Sequence, residues 1–330
     1  MRFLPAGDLA VCVELGEAIS VEVNTRVRAL EFLIQQKGLT GVVETVPAYS
    51  SLLVYYDPRA VGYEPLCAAI AELVPQATTA VLPPPRTVEL PCCYDDPELG
   101  FDLAAAAKRL DLSPDDLARL HAGAEYLVYF IGFTPGLPYM TGMPERINIP
   151  RLDTPRTKTP PGSVGIGGIQ CCIYSVESPG GFWILGRTPV PLYDPSAAEP
   201  TLLRPGDRVR FRRIDRAEFG AIGARGRGTE LPRGDLVIKI LDAGPQTTVQ
   251  DLGRTGQMRY GIPPSGPVDR FAFVLANRLV GNPDAAAALE CTLIGPRFEV
   301  DRRRRDRGHR RRHAGERERP GRAPRGRRSR

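Results

Sequence analysis

The stretch that decides the fold is EYLVYFIGFTPGLPYMTGMPERINIPRLDTPRTKTPPGSVGIGG, residues 125–168. Its apolar opening, residues 126–131, is rich in Val, Ile, Tyr and Phe and predicts a buried strand. The frequent Pro and Gly that follow predict a loop of about thirty residues, and loops of this length inside a domain are commonly functional. We expect Pro and Gly to fix a backbone path that presents a few charged groups to a ligand.

Working outward, the charge of the chain is concentrated at one end. The formal net charge is +6 over 330 residues, but 15 Arg and 4 acidic residues give residues 301–330 a charge of +11 and leave −5 for residues 1–300. Two interpretations of this tail stand: a disordered basic arm for nucleic acid, or GC-rich DNA translated out of frame, which we favour. We therefore expect no nucleic-acid partner.

The composition also excludes several classes of site. No C-x-x-C spacing occurs among the seven Cys, and His121 is the only His outside the tail, so we expect no metal site and no Ser-His-Asp triad. No G-x-x-x-x-G-K-[ST] phosphate loop is present. Neither a signal peptide nor a membrane span is recognisable, which predicts a cytoplasmic protein without a membrane partner.

Periodicity divides the chain into segments. Residues 1–82 predict a small α+β domain of order β-α-β-β-α, in which Ser20 caps the first helix. A proline-rich linker follows at residues 82–85. Residues 86–215, with many short strands and Gly/Pro turns, predict a closed or nearly closed β-barrel. Ser113-Pro114 marks the start of a helix that we expect to deliver His121 to the mouth of the long loop.

The remaining segments are less regular. Residues 216–234 are rich in Gly and charge and predict a linker. Residues 235–300 make a new start, with a strand near residues 236–241 and a helix near residues 268–280. Residues 301–330 cannot bury an apolar core, and we expect them to be disordered.

The quoted stretch, together with YSVESPGGFWILGRTPVPLYDP and LLRPGDRVRFRRI, resembles the bacterial 5-oxoprolinase B-subunit family (PxpB) over residues 1–215. That family is also known as allophanate hydrolase subunit 1, carboxyltransferase subdomain C/D, or a sporulation-kinase inhibitor. The stretch PQTTVQDLGRTGQMRYGIPPSGPVDRFAFVLANRLVGNPDAAAALECTLIGPRFEV resembles the opening of the C-subunit family (PxpC), which is allophanate hydrolase subunit 2 or carboxyltransferase subdomain A/B. The chain therefore resembles a B–C fusion whose C half is cut short.

This resemblance implies a fold and an activity. It implies an α+β N-terminal domain, a cyclophilin-like β-barrel over residues 86–215 and an incomplete second cyclophilin-like domain over residues 235–300. It also implies that the chain acts with the A subunit of 5-oxoprolinase and a full-length C subunit to hydrolyse 5-oxoproline to glutamate at the expense of ATP, with Mg as the expected metal of the nucleotide. Such a site needs cations for phosphate charge and an acid or base for proton transfer.

Candidate residues come from the loop and its borders. Arg156, Lys158 and Arg187 are candidates to bind carboxylate or phosphate, with surface solvation or loop-fixing salt bridges as the alternative. His121, Glu125 and Glu177 are candidates for proton transfer, with structural pairing or capping as the alternative. Gly132, Gly136 and Gly162 are expected to meet backbone requirements beside the ligand. The matches to the C-subunit motif are Gln250, Asp251, Arg254, Ser265 and Asp269.

Alternative functions stay open. The same family includes a regulatory protein that inhibits a sensor histidine kinase, which needs no catalytic residue. The urea carboxylase relatives suggest a carboxyltransferase component acting with biotin, although no Met-Lys-Met biotinylation motif occurs here. The apparent B–C fusion favours the enzyme, because joining two subunits raises their effective concentration.

Overall fold

The computed structural model describes residues 1–225 and 238–300. The chain forms two compact units. The first comprises residues 1–229 and 255–264, and the second comprises residues 230–254 and 265–330. Within the described ranges, no helix is both long enough and apolar enough to cross a membrane.

The first 80 residues of the first unit form a four-stranded antiparallel sheet packed with two helices around one hydrophobic core. The elements in chain order are β1 (Arg2–Pro5), β2 (Ala10–Glu14), α1 (Val21–Lys37), β3 (Val42–Pro47), β4 (Ser51–Tyr56) and α2 (Tyr63–Leu73). The strand order is β1-β2-β4-β3. Helix α1 starts at the predicted cap, where Ser20 Oγ accepts a hydrogen bond from the Val23 N–H. The sequence interpretation missed β1, a four-residue strand at the sheet edge.

The central part of the first unit is a seven-stranded, barrel-like sheet. The elements in chain order are β5 (Thr87–Cys92), α3 (Leu103–Arg109), α4 (Pro114–Ala122), β6 (Glu125–Ile131), β7 (Pro138–Thr141), β8 (Arg156–Thr159), β9 (Ser163–Gly167), β10 (Gln170–Ile173), β11 (Ser178–Gly180), β12 (Trp183–Arg187) and β13 (Arg208–Arg213). The sheet order is β12-β9-β10-β7-β6-β13-β5. Reciprocal hydrogen bonds of 2.9 and 3.0 Å between the backbones of Cys93 and Arg187 join its two edges, so the sheet is nearly closed.

The prediction of one thirty-residue loop after residue 131 is wrong, because strands β7 and β8 interrupt it. Strand β7 pairs with both β6 and β10, and its Met140 is buried in the barrel core. Strand β8 pairs with β11 in a separate two-stranded ribbon. Proline is tolerated as the first residue of a strand, and Pro138 occupies that position in β7. The proline-rich composition therefore concealed two short strands.

The segment expected to be a linker begins with a helix, α5 (Arg216–Arg225). Asp215 Oδ1 accepts a hydrogen bond from the Glu218 N–H at 2.8 Å, which caps the first turn. Phe219 and Ile222 pack against buried Cys93, Leu99 and Ile214. Residues 226–237, which include the rest of the predicted linker, lie outside the described residues.

The described part of the second unit forms two two-stranded antiparallel ribbons and one helix. The elements are β14 (Ile238–Asp242), β15 (Gln246–Gln250), α6 (Arg270–Leu279), β16 (Ala288–Thr292) and β17 (Arg297–Val300), with β14 paired to β17 and β15 to β16. Asp269 caps α6 by accepting a hydrogen bond from the Ala272 N–H at 2.8 Å. The predicted disordered tail, residues 301–330, lies outside the described residues.

Candidate functional site

Arg156, a predicted anion ligand, is held in a partly buried ion pair. Its Nη2 lies 2.5 Å from Asp102 Oδ1, its Nη1 donates to the Phe182 carbonyl at 3.2 Å, and its guanidinium stacks over Phe101. Asp102 Oδ2 also accepts a hydrogen bond from the Ile184 N–H at 2.8 Å. Burial raises the pKa of Asp102, while the Ile184 N–H and Arg156 oppose that rise. The pair therefore ties the start of α3 to β8 and β12.

Three other predicted residues make surface ion pairs. Lys158 Nζ lies 3.1 Å from Glu177 Oε1, and both side chains are more than half exposed. Glu125 pairs with two arginines of β13, at 3.2 Å from Arg208 and 2.7 Å from Arg210. Exposed pairs of this kind contribute about 0–1 kcal/mol to stability. Lys158 lies on β8, which also holds Arg156, and Glu177 immediately precedes its partner strand β11, whereas Glu125 begins β6 of the barrel sheet.

Arg187, the third predicted cation, has a different environment. Its Nε donates to the Pro161 carbonyl at 2.7 Å, and no described carboxylate lies within ion-pair distance of its guanidinium. Burial, and then the nearby Arg216 charge, lower its pKa. Gly162 lies beside it with φ +83°, where a Cβ would approach the Thr188 carbonyl oxygen to 2.3 Å. Glycine is therefore required at position 162 for a steric reason, as expected from the sequence.

His121 is fully buried, so the expectation that α4 delivers it to the mouth of the loop is wrong. Its Nδ1 lies 2.8 Å from Tyr94 Oη and its Nε2 lies 3.4 Å from Cys171 Sγ. The ring packs against Tyr126 and Phe211. Burial lowers the pKa of His121 to about 3, which keeps the imidazole neutral in the folded protein. The geometry favours packing, and its catalytic role stays a prediction.

Gly132 and Gly136 contact another part of the first unit, residues 255–264, called here the 255–264 segment. The Gly136 N–H donates to the Tyr260 carbonyl at 2.8 Å. Gly261, at φ +73°, lies so close that a Cβ there would be 2.6 Å from the Thr134 carbonyl oxygen and 3.2 Å from Gly132 Cα. The close approach therefore depends on Gly261, whereas a Cβ at Gly132 or Gly136 would meet Phe130 or Tyr193 instead.

A buried carboxylate anchors the same segment. Glu44 on β3 is 6% exposed, and its two carboxylate oxygens accept hydrogen bonds from the Gly256 N–H at 3.0 Å and the Arg259 N–H at 3.3 Å. Charge-assisted hydrogen bonds of this kind are stronger than neutral ones. Tyr260, 7% exposed, donates its hydroxyl to Glu199 Oε2 at 2.9 Å. Glu44 and Glu199 thus fix the backbone and side chain of adjacent residues in the segment.

The first unit contains a groove with a cavity volume of about 400 Å³, lined by α1, residues 82–86, residues 204–207 and the 255–264 segment. Four arginines line it. Arg86 is neutralised by Asp207, with Nε 2.9 Å from Oδ1, and Arg204 lies 3.3 Å from Glu199. The other two, Arg28 and Arg259, have no described carboxylate within ion-pair distance.

Arg28 is half-buried at one wall of this groove. One of its terminal nitrogens lies against the Cα of Gly206, where a Cβ would be 2.3 Å away. Its buried Nε makes no hydrogen bond to a described residue. Burial, and then repulsion by Arg208, lower the pKa of Arg28, while Glu31 opposes that shift. The guanidinium is therefore a poorly solvated positive charge facing a cavity.

Glu31 is the third charged group of the groove that lacks an ion-pair partner among the described residues. Its Oε1 accepts hydrogen bonds from Thr45 Oγ1 at 3.0 Å and from Gln35 Nε2 at 3.4 Å. Burial raises its pKa to about 7, against the opposing effects of Thr45, Arg259 and Arg28. A carboxyl group with this pKa can bind or release a proton near neutral pH.

Three of the residues that match the C-subunit motif make local hydrogen bonds. Gln250 donates to Thr248 Oγ1 at 3.0 Å, Asp251 Oδ1 accepts from the Gly253 N–H at 2.8 Å, and Asp269 caps α6. Ser265 adopts φ 54°, and Arg254 is exposed. All five occur in the second unit.

Comparison with known families supplies the identity of the larger part of the chain. The family described as "Carboxyltransferase domain, subdomain C and D" matches residues 1–203. The chain belongs to this family. The family described as "Carboxyltransferase domain, subdomain A and B" matches residues 260–305, so Tyr260 and Gly261 fall within that second match.

Named relatives of this carboxyltransferase-family chain agree with both matches. It is 38% identical over 225 residues to the 5-oxoprolinase B subunit of Bacillus subtilis (strain 168), covering 65% of this chain and 93% of that protein. It is 48% identical over 67 residues to the 5-oxoprolinase C subunit of Escherichia coli (strain K12), covering 20% of this chain and 22% of that protein. The crystal structure of TTHA0988 is similar with a TM-score of 0.71 and 34% identity, covering 88% of this chain, which spans 57% of that one.

Sequence reasoning missed the residues that line and complete the groove. They are Arg28, Glu31, Glu44, Glu199, Arg259 and Tyr260. On α1, Arg28 and Glu31 follow the pattern of a solvated helix face, so nothing in their spacing distinguishes them from surface charge. The signal that could have found Arg259 and Tyr260 is their place in MRYGIPPSGP, within the stretch that resembles the C-subunit family.

Proposed function

We propose that this chain provides the B-subunit function of a 5-oxoprolinase complex, which hydrolyses 5-oxo-L-proline to L-glutamate with consumption of ATP. The observation that carries the proposal is the 38% identity to a named 5-oxoprolinase B subunit over 93% of its length. The match of a second stretch to a C subunit supports it, because both components of one complex are represented in one chain. The proposed partners are a separate A subunit and a full-length C subunit.

The fold and location follow as parts of the same proposal. We propose that residues 86–215 form a cyclophilin-like barrel and that residues 235–300 begin a second domain of that kind. The nearly closed seven-stranded sheet supports the first half of this statement. We also propose that the complex works in the cytoplasm, where both ATP and free amino acids are available.

ATP does not fit the groove. The nucleotide brings about four negative charges and a Mg²⁺ ion, whereas the groove offers two unpaired arginines. Two of its three acidic residues, Asp207 and Glu199, already bind Arg86 and Arg204, which leaves Glu31 as a single carboxyl for a metal ion. We therefore assign ATP to another part of the complex and derive no step through it from these residues.

Among the residues predicted from sequence, Arg187 is the best candidate to bind an anion. Its guanidinium has no described carboxylate partner, whereas Arg156 and Lys158 are paired. We propose that the Arg156–Asp102 pair stabilises the barrel. We propose that Lys158, Glu125 and Glu177 form exposed ion pairs and do not bind substrate. A proton-transfer role for Glu125 or Glu177 is the less supported alternative, since both carboxylates are paired with cations.

Reconstitution with the other subunits tests the proposal. The full chain is mixed with separately purified A and C subunits, and 5-oxoproline-dependent ADP release is measured with each component omitted in turn. We expect ADP release only when all components are present. If a stable complex forms without 5-oxoproline-dependent ADP release, the proposal is wrong. Inhibition of a sensor histidine kinase by the chain would then support the regulatory function.

A further inference from the structure

The groove of the first unit is an unassigned site with a specific charge pattern. Its cavity of about 400 Å³ falls in the range of small-molecule pockets. Two of its four arginines are neutralised by Asp207 and Glu199, while Arg28 and Arg259 have no carboxylate partner among the residues that the structure describes. A half-buried, unpaired guanidinium is costly unless an anion accompanies it. The groove is therefore suited to an anion.

We propose that this groove binds a small carboxylate that also carries a hydrogen-bonding amide, with Arg28 and Arg259 as ligands of the carboxylate. Arginine presents a planar fork of donors that matches the geometry of a carboxylate. Glu31, with one oxygen held by Thr45 and Gln35, is placed to exchange a hydrogen bond with the amide. Identification of this ligand with a lactam such as 5-oxoproline rests on the proposed function.

The charges of the groove favour a carboxylate over a phosphate. Arg28 and Arg259 together contribute +2, and an ionised Glu31 contributes −1. A single carboxylate leaves the group neutral when Glu31 is ionised and at +1 when it is protonated, whereas a phosphate dianion leaves an excess of negative charge beside ionised Glu31. Glu31 is also within electrostatic reach of both arginines. The three groups thus act on the same region of the cavity.

The site is complete only when the 255–264 segment is seated. Arg259 reaches the groove because Glu44 accepts hydrogen bonds from the Gly256 and Arg259 N–H groups, and because Tyr260 is fixed by Glu199. The Arg259 guanidinium stacks on the Tyr260 ring, 4.8 Å from its centroid. The 255–264 segment, which includes the start of the subdomain A and B match, therefore completes a groove whose other walls include residues of the subdomain C and D match.

Isothermal titration calorimetry on the full chain tests the site without requiring activity. The probes are 5-oxo-L-proline, acetate and inorganic phosphate, all at pH 6.5. Arg28→Gln and Arg259→Gln are each expected to weaken 5-oxo-L-proline binding by about ten- to a hundred-fold, the effect of losing one charge-assisted contact. Arg59→Gln is the matched control, because Arg59 is exposed, belongs to the same unit and does not line the groove. Thermal melts confirm that each variant is folded.

The outcomes separate this inference from the proposed function. Saturable binding of 5-oxo-L-proline, tighter than acetate and weakened in both groove variants but not in Arg59→Gln, supports the site. Tighter binding of phosphate, no saturable binding by the wild-type chain, or equal binding by all variants overturns it. If Arg28→Gln fails to fold, Arg259→Gln decides the question, since Arg259 is exposed. Activity of the reconstituted complex with an unaffected Arg259→Gln variant would disprove the site and leave the proposed function standing.

Discussion

The imidazole of His121 lies in the barrel core, 2.8 Å from Tyr94 Oη and packed on two aromatic rings. We predict that His121→Ala lowers the free energy of unfolding by about 2–4 kcal/mol, because it leaves a cavity and an unpaired Tyr94 hydroxyl. Chemical denaturation measures this loss. Activity per folded molecule in the reconstituted complex is expected to stay unchanged, and a stable variant that loses activity would instead support the catalytic prediction.

The sign of the pH effect at His121 follows from its burial. Its pKa is about 3 in the folded state, below the ordinary value of 6.5, so the unfolded chain binds a proton that the folded chain does not. The contribution of this residue to stability is complete above about pH 6.5 and is lost as the pH falls towards 3. The His121→Ala variant should therefore show a shallower loss of stability over this window.

At Glu31 we predict a pH dependence of ligand binding in the groove. The carboxyl has a pKa raised to about 7 by burial, and the groups facing it are Arg28 and Gln35 on α1, Thr45 on β3, and Arg259. Below about pH 7 the protonated form adds no negative charge, whereas above it the carboxylate repels an anionic ligand. Binding of 5-oxo-L-proline should weaken about three- to ten-fold between roughly pH 6 and pH 8.

Glu31→Gln provides the control for this pH effect. The amide keeps the shape and hydrogen-bonding capacity of the side chain but does not titrate in this range. We expect its affinity for 5-oxo-L-proline to be nearly independent of pH over the same range. The same slope in the wild type and in Glu31→Gln, or tighter binding at the alkaline end, would show that another group controls the site.

Single residues show where sequence reasoning reached its limit. The caps at Ser20, Ser113 and Asp269 depend on neighbours within three positions, and the first two were predicted correctly as helix starts. By contrast, the pairing of Arg156 with Asp102 spans 54 positions and cannot be inferred from local spacing. The burial of His121 follows from the packing of α4 on the barrel, which is equally non-local.

At the level of elements, the contact between residues 132–136 and the 255–264 segment can be tested by two matched glycine substitutions. Gly256 and Gly261 both have positive φ, at 76° and 73°, but only Gly261 would bring a Cβ into contact, 2.6 Å from the Thr134 carbonyl oxygen. We predict that Gly261→Ala unseats the segment, because backbone strain of about 1–2 kcal/mol is joined by this clash.

Hydrogen exchange measures the seating of this segment. Gly261→Ala should increase the exchange rate of the Arg259 amide, whose N–H is otherwise held by Glu44, and should weaken 5-oxo-L-proline binding as Arg259→Gln does. Gly256→Ala has strain without the clash, so its effect should be clearly smaller. Equal effects of the two substitutions would contradict a specific role for the contact at Gly261.

The strands were predictable to different degrees. The apolar run at residues 126–131 identified β6, and the β-α-β-β-α order predicted for residues 1–82 corresponds to β2, α1, β3, β4 and α2. Short strands β7 and β8 were missed, since four residues bounded by proline carry too little periodicity to be distinguished from a turn. Their position in the fold depends on pairing with strands distant in sequence.

For the whole molecule, the division into a B-like and a C-like part came from long motifs, and the family matches cover residues 1–203 and 260–305. The groove could not have been predicted in this way. It is assembled from α1, the proline-rich segment at 82–86, the turn at 204–207 and the 255–264 segment, which are far apart in sequence. Only the folded first unit brings their charges together.

The central claim is that this chain acts as the B subunit of 5-oxoprolinase. Its most direct test is the formation of L-glutamate from 5-oxo-L-proline and ATP by the full chain mixed with purified A and C subunits, with glutamate and ADP both quantified. We predict equal amounts of glutamate and ADP, and no glutamate when this chain is omitted. Glutamate formation that proceeds at the same rate without this chain, or its absence from a fully assembled complex, would contradict the claim.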